Sequence, residues 1–137
     1  MRAVTVRQPW AWAIICAGKD IENRSWTNRH VIGTIAIHAG YGVDPLEELP
    51  RGVKKPSNED LIRGAIIGVV DVVGVVDRHR SKWFHGPLGW VLRNPRRLKK
   101  PIFCKGTLGL WHLPPEAQDK IRRQLRLGAL QSRAVGK

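Results

Sequence analysis

The chain has little of what staples, anchors or ligates a protein. Only two cysteines, Cys16 and Cys104, occur in 137 residues, and their spacing makes no metal-ligand pair. We read both as reduced, half-buried thiols of a cytoplasmic protein. The five histidines are scattered, with no H-x-x-x-H or C-x-x-C companion, so no metal and no other cofactor is expected. No apolar run approaches the ~20 residues that span a bilayer, which removes a membrane partner. The N-terminus lacks the charged, apolar, small-residue order of a signal peptide. Tyrosine and phenylalanine are scarce, at one and two, and acidic residues number only 11.

Against these shortages stand 24 Lys+Arg, a formal net charge of +13, and six tryptophans. The charge is uneven. Residues 91–137 hold 12 basic and 2 acidic groups, a net +10, and residues 1–90 hold 12 and 9, a net +3. A basic field gathered in one third of a chain points to a polyanion. Arg93, Arg96, Arg97, Lys99, Lys100 and Lys105 carry it first, then Lys120, Arg122, Arg123 and Arg126. Nucleic acid is the expected partner. RNA is favoured over DNA because no helix-turn-helix pattern appears and small β-domains take splayed-out bases. The plain alternative is a solvated face. The expected state is a monomer.

The pattern along the chain is α+β. Met1 to Val6 alternates as a strand. Pro9 suits a helix start, Trp10, Ala13, Ile14 and Ala17 follow at helical spacing, and Gly18 closes that helix. Gly33 to Ala39 reads as a strand. Gly40 to Pro56 is a surface excursion, and Ser57 is placed to cap a short helix. Ala65 to Asp77 is a long Ile/Val strand whose Gly68 and Gly74 predict a bend or bulge, and Asp71 within it needs a partner or an open edge. Gly89 to Arg93, Pro101 to Cys104 and Leu108 to His112 read as further strands, with a turn at Asn94-Pro95. A basic helix from Pro114 buries Ala117, Ile121 and Leu125 and ends at Gly128. The sum predicts a small, mostly antiparallel β-barrel with two or three packed helices.

Three charges crowd the end of the first helix. Lys19 and Glu22 share a helical spacing, Glu22 and Arg24 an extended one, so a helix stopping at Gly18 and running into a strand brings all three to one mouth. There Lys19 supplies a cation for phosphate or an oxyanion. Glu22 accepts from a base edge or takes a proton. Arg24 makes a planar contact to phosphate or orients Glu22. On spacing alone, Glu22 and Arg24 serve equally as a structural ion pair with Lys19 in solvent. Trp12 lies off the buried helix face and Trp26 follows the charged cluster, so these two are the tryptophans expected to meet a ligand. Trp10, Trp90 and Trp111 read as core or cleft wall, and Trp83 sits in a polar loop.

Ala17-Gly18-Lys19-Asp20-Ile21-Glu22-Asn23-Arg24 resembles the G-x-K-x-x-E-x-R signature of the ASCH domain, a relative of the PUA RNA-binding domain. The signature glycine falls two before the lysine, where this chain has Ala17, and its glycine is Gly18. Arg7 to Ala13 resembles the family's first helix. Gly86 to Leu92 and Gly109 to Leu113 are similar to later strands of small bacterial ASCH proteins. The likeness implies a PUA-like barrel over residues 1–113; the basic helix and tail read from the pattern, 114–137, are expected to pack on the same domain. It also implies that Lys19, Glu22 and Arg24 line the ligand cleft.

The same resemblance opens an enzymatic alternative. Some ASCH proteins are amidohydrolases acting on N4-acetylcytidine, and others are described as ribonucleases. The amidohydrolases place a threonine nucleophile where this chain has Glu22, so that mechanism does not transfer unchanged. A metal-independent hydrolase built on Lys19 and Glu22 is the second reading. An interaction module that meets an acidic protein is the third.

Overall fold

The structure, a computed structural model, describes residues 1–26 and 31–135, and of 127–135 only the helical backbone. Strand β1 (Arg2–Gln8) alternates as its sequence suggests: Val4 and Val6 join one core cluster, while Ala3 joins another on the opposite face. Helix α1 (Trp10–Cys16) buries Ala11, Ala13, Ile14 and Ile15. Gly18 follows at φ +77, a left-handed backbone that turns the chain away from the helix. The Lys19 N–H then donates back to the Ala13 carbonyl at 3.0 Å. Strand β2 (Ile21–Arg24) starts at once.

Strands β3 (Gly33–Val43), β4 (Ala65–Val76), β5 (Leu88–Phe103) and β6 (Leu110–His112) complete the sheet, and helix α2 (Pro115–Val135) follows. Between β3 and β4 lie two short 3-10 turns, Leu46–Glu48 and Asn58–Asp60. The Asp60 carboxylate accepts from the Ser57 N–H and hydroxyl at 2.9 and 3.0 Å. The sheet order is β2-β5-β4-β3-β1-β6. Only the β1–β3 pair is parallel, its crossover made by α1 and β2; the other pairs are antiparallel.

The expected closed barrel is corrected to an open six-stranded mixed sheet with one helix on each face. The reason is at the edges. The short β6 occupies the outer side of β1, so β2 has no backbone to pair with there and stays hydrogen-bonded to β5 alone. Val4, Val6, Ile35, Ile37, Val70, Trp90 and Leu92 pack with Ile14 and Ile15 of α1. Ala36, Ile66, Val69, Leu98, Ile102 and Trp111 pack with Ala117 and Ile121 of α2.

Two further expectations change. The Asn94-Pro95 turn is a bulge inside one long strand. Asn94 takes φ 55, and the β4–β5 register shifts there. That extra residue turns β5 over, so Leu92 faces α1 whereas Leu98 faces α2. Likewise α2 runs through Gly128 to Val135; residues 136 and 137 lie outside the described residues. The bulges expected in β4 are present, with register shifts just before Gly68 and Gly74. Gly68 also lets α1 approach: a Cβ there would stand 2.7 Å from both the Arg96 carbonyl oxygen and Ile15 Cδ1. No described helix is long and apolar enough to cross a membrane.

Candidate functional site

The turn at Gly18 delivers Lys19 to the start of β2, and the two-residue period of β2 puts Glu22 and Arg24 on one face beside it. The three side chains meet. Glu22 Oε1 lies 3.8 Å from Lys19 Nζ, and Glu22 Oε2 accepts from Arg24 Nη2 at 3.0 Å. Arg24 Nη2 also donates to the Thr5 carbonyl of β1 at 3.1 Å. Lys19 is only 5% exposed, and its ammonium donates to the Ile21 carbonyl. Lysine is almost never buried this far without a reason, so the reading that left it in solvent is excluded.

Two indoles flank that ammonium. The ring centroids of Trp10 and Trp83 lie 5.8 and 5.7 Å from Lys19 Nζ. Each ring is held in place. Asp44 accepts from Trp10 Nε1 at 2.8 Å and from Arg7 Nε at 2.9 Å. Asn23 Nδ2 donates to the Trp83 carbonyl at 2.9 Å, and Asn23 Oδ1 accepts from the backbone of His85 and Gly86. Ser81 donates to Asp20 at 2.5 Å. Residues 81–86 are thus tied to β2 by Asn23 and to the residue before it by Asp20.

The result is a cleft of about 290 Å³ with Lys19, Glu22, Arg24, Asn23, Trp10 and Trp83 in its wall. One carboxylate sits between two cations, so the cleft carries net positive charge and suits an anion or an electron-rich polar group. Burial pulls the Lys19 ammonium below the ordinary lysine range, against the opposing pull of Glu22 and Asp20. Such a lysine is a stronger candidate for proton transfer than a solvated one. No group of three or more His, Cys, Asp or Glu side chains converges as a metal site among the described residues.

The other expected contact residues are placed elsewhere. Trp12 points away from this cleft into a second recess behind α1. Trp26 is 36% exposed and packs edge-on against Trp90 at 5.5 Å, with the Arg24 guanidinium within 6 Å of both rings, at 5.9 and 5.7 Å. These indoles hold Arg24. The basic group is divided. Arg93, Arg96, Arg97, Lys99 and Lys100 follow Leu92 along β5, and Lys105 lies in the loop after it. Arg96 is occupied by Asp71 at 2.5 Å, which also accepts from Thr34 and Asn94. Arg122 and Arg123 are exposed on α2, across the sheet from α1, and neither lines the cleft. Cys16 is exposed at the end of α1, not half-buried, whereas Cys104 is partly buried; both thiols are free.

Sequence reasoning missed Trp83, Asn23 and the Trp10–Asp44 pair as builders of this cleft. The available signal was Lys82-Trp83-Phe84-His85, an aromatic cluster in an otherwise polar loop.

Comparison with known proteins agrees with this architecture. Residues 4–102 match the ASCH domain family. The human protein activating signal cointegrator 1 is 24% identical over 149 residues, covering 96% of this chain. The chain spans only 25% of that relative's length. Among solved structures, the crystal structure of ASCH from Zymomonas mobilis superposes with a TM-score of 0.57 at 16% identity, covering 89% of this chain and 93% of that one. A point mutant of the same protein gives the same score and identity. With the family match extending from β1 almost to the end of β5 and including every residue of the cleft loop and signature, this chain belongs to the ASCH domain family.

Proposed function

We propose that this ASCH domain binds RNA by taking one base, plain or modified, into the Lys19–Glu22–Arg24 cleft. The supporting observation is Lys19 itself, a nearly buried cation between two indoles. Ligand pockets usually enclose about 300–1,000 Å³, so a cleft of about 290 Å³ suits a group the size of one nucleobase. Trp83 is buried and backs Lys19 from within the wall, whereas the partly exposed Trp10 offers a face to a base, and stacking on an aromatic is worth about 1–3 kcal/mol per base. Lys19 and Arg24 face the acceptors of a base or phosphate, and Glu22 faces a base amino group. RNA is preferred to DNA on the kinship with PUA domains and the ready access of single-stranded bases.

The test is fluorescence anisotropy with labelled single-stranded RNA and DNA of one sequence, for wild type and Lys19→Met. Affinity for RNA that falls with salt and is lost in the variant is expected. Equal affinity of the two proteins overturns the reading.

A second reading, hydrolysis, is favoured by one observation: the depressed proton affinity of Lys19 with Glu22 Oε1 3.8 Å away. In its deprotonated form such a lysine takes a proton from an attacking water or 2′-hydroxyl, and Arg24 steadies the developing negative charge. Incubation with total RNA and with N4-acetylcytidine decides it. Cleavage or acetate release that disappears in Lys19→Met supports an enzyme, and no turnover by the wild type removes it.

A further inference from the structure

A second recess, of about 390 Å³, lies on the far side of the ridge that bounds the cleft. The ridge has two parts, and each contributes to both hollows. On α1, Trp10 lines the cleft and Trp12, two residues on, lines the recess. In the loop between β4 and β5, Trp83 lines the cleft and Lys82 the recess. Lys19 Nζ and Lys82 Nζ stand 5.7 and 5.9 Å from the same Trp83 ring centroid. The two hollows are therefore one indole apart.

The recess has a built floor and a charged rim. Trp12, Ala17 and Val53 pack in one apolar cluster with Trp83 and Leu49. Lys54, Lys55 and Lys82 surround it, and none of the three takes part in an ion pair among the described residues. Asp60 is the one carboxylate in its wall, and its Oδ2 already accepts from Ser57. Arg97 of β5 lies near enough to act on the charges of both Asp60 and Cys16. Lys54 also acts on the charge of Asp60, yet three ammonium groups outnumber that one carboxylate, and an excess of cations around an indole combines a phosphate site with a stacking face, the pairing that single-strand binders use.

We infer that this recess holds the nucleotide adjacent to the one in the cleft, its phosphate on Lys54, Lys55 and Lys82 and its base against Trp12. The inference rests on the RNA-binding reading of the cleft and adds the path of the strand. The strand crosses the Trp10/Trp83 ridge toward α1 and the 52–56 loop, on the α1 side of the sheet. It does not run toward the arginines of α2.

The experiment uses the full chain and three proteins: wild type, Lys19→Met, and the double variant Lys54→Glu/Lys55→Glu. Both replaced residues of the double variant are exposed, so it retains the wild-type circular dichroism spectrum. Binding of labelled single-stranded RNA is followed across a salt series, alongside a panel of nucleosides and dinucleoside monophosphates. Wild type should gain at least tenfold in affinity from the best nucleoside to its dinucleoside monophosphate, and the double variant should lose that gain. The double variant should bind nucleosides as wild type does, and its log K against log salt slope should flatten by about 0.7 per lost phosphate contact.

RNA binding weakened by Lys19→Met but untouched in the double variant overturns the recess and leaves the cleft reading standing. Weakening by the double variant alone overturns the cleft reading, and the neighbouring-nucleotide arrangement with it. Competition by polyglutamate as effective as competition by RNA assigns the recess to acidic protein and overturns the nucleotide assignment.

Discussion

Arg24 of β2 donates to the backbone carbonyl of Thr5 in β1 at 3.1 Å, linking two strands that are not neighbours in the sheet. The same Nη2 holds Glu22 at 3.0 Å, and the guanidinium packs beside both Trp26 and Trp90. One side chain thus does by hydrogen bonding what barrel closure would have done through backbone pairing. It also leaves β2 free at its outer edge, beside the cleft.

Arg24→Ala removes that link and leaves Glu22 buried with only Lys19 for a partner. The expected loss is about 2–3 kcal/mol, below the upper range for a broken buried pair because Arg24 is partly exposed. Arg24→Lys should recover only part of it, since a flexible, strongly hydrated ammonium is held less well than a guanidinium that meets Glu22, the Thr5 carbonyl and two indoles at once. Urea midpoints read at constant m-value measure both. An Arg24→Ala midpoint equal to wild type would show the link to be incidental.

Gly18→Ala tests the turn that carries Lys19 into the cleft. A Cβ at Gly18 meets nothing within 4 Å, so crowding is not the obstacle. The obstacle is φ +77, which costs an L side chain about 1–2 kcal/mol. Gly18→Asn should cost less, because asparagine tolerates the left-handed region. Thermal unfolding ranks the three proteins, and the order Gly18, Asn, Ala is expected. Equal melting temperatures for all three would show that the turn relaxes freely.

The cleft was legible where its geometry is local. Lys19, Glu22 and Arg24 lie within six residues, and a helix stop followed by a strand puts them together whatever the rest of the chain does. Trp83 was not legible, because it arrives from some sixty residues away and is placed by Asn23 through hydrogen bonds to backbone. Trp12, expected off the core face of α1, is half-buried against a small cluster of Ala13, Ile21 and Trp83, and its sharing a recess with Lys82 could not be foreseen. Asn94-Pro95 carries the chemistry of a turn, yet β4 and α2 hold both halves of β5 in one sheet and reduce it to a bulge. The topology of the edges also escaped. Nothing in Leu110–His112 announces that it takes the side of β1 on which barrel closure depends.

Asp44 gives a pH-dependent check on the cleft wall. The Trp10 indole N–H holds its carboxyl below the usual 3.8, against burial that pushes it up, and Arg7 adds to the lowering. A carboxylate with a depressed folded-state pKa contributes stability that is present above 3.8 and lost as pH falls through the folded value. Asp44→Asn should therefore be less stable than wild type near neutrality, by under about 1 kcal/mol for so open a group. The two proteins should converge as pH falls from above 3.8 through the folded value. Denaturant titrations across that range measure the gap, and a gap that stays constant would show that Asp44 gains nothing from its ionised form.

Lys19 couples stability and binding in opposite senses. Its pKa in the folded protein lies below 10.5 because burial penalises the ammonium. Between the folded value and 10.5 the unfolded chain binds the proton more tightly, so this residue's contribution to stability rises as pH rises through that window. Over the same window the cleft loses its buried charge, so affinity for RNA falls. Lys19→Met removes both dependences. It forfeits the bond to the Ile21 carbonyl but is relieved of desolvating a charge, and the net change near neutrality should stay within about 1 kcal/mol. Affinity should nevertheless drop at least tenfold, about 1.4 kcal/mol. Stability and anisotropy measured on wild type and variant over the same alkaline series decide the matter: a protein whose stability and affinity moved together with pH would show that Lys19 does not carry its charge into the complex.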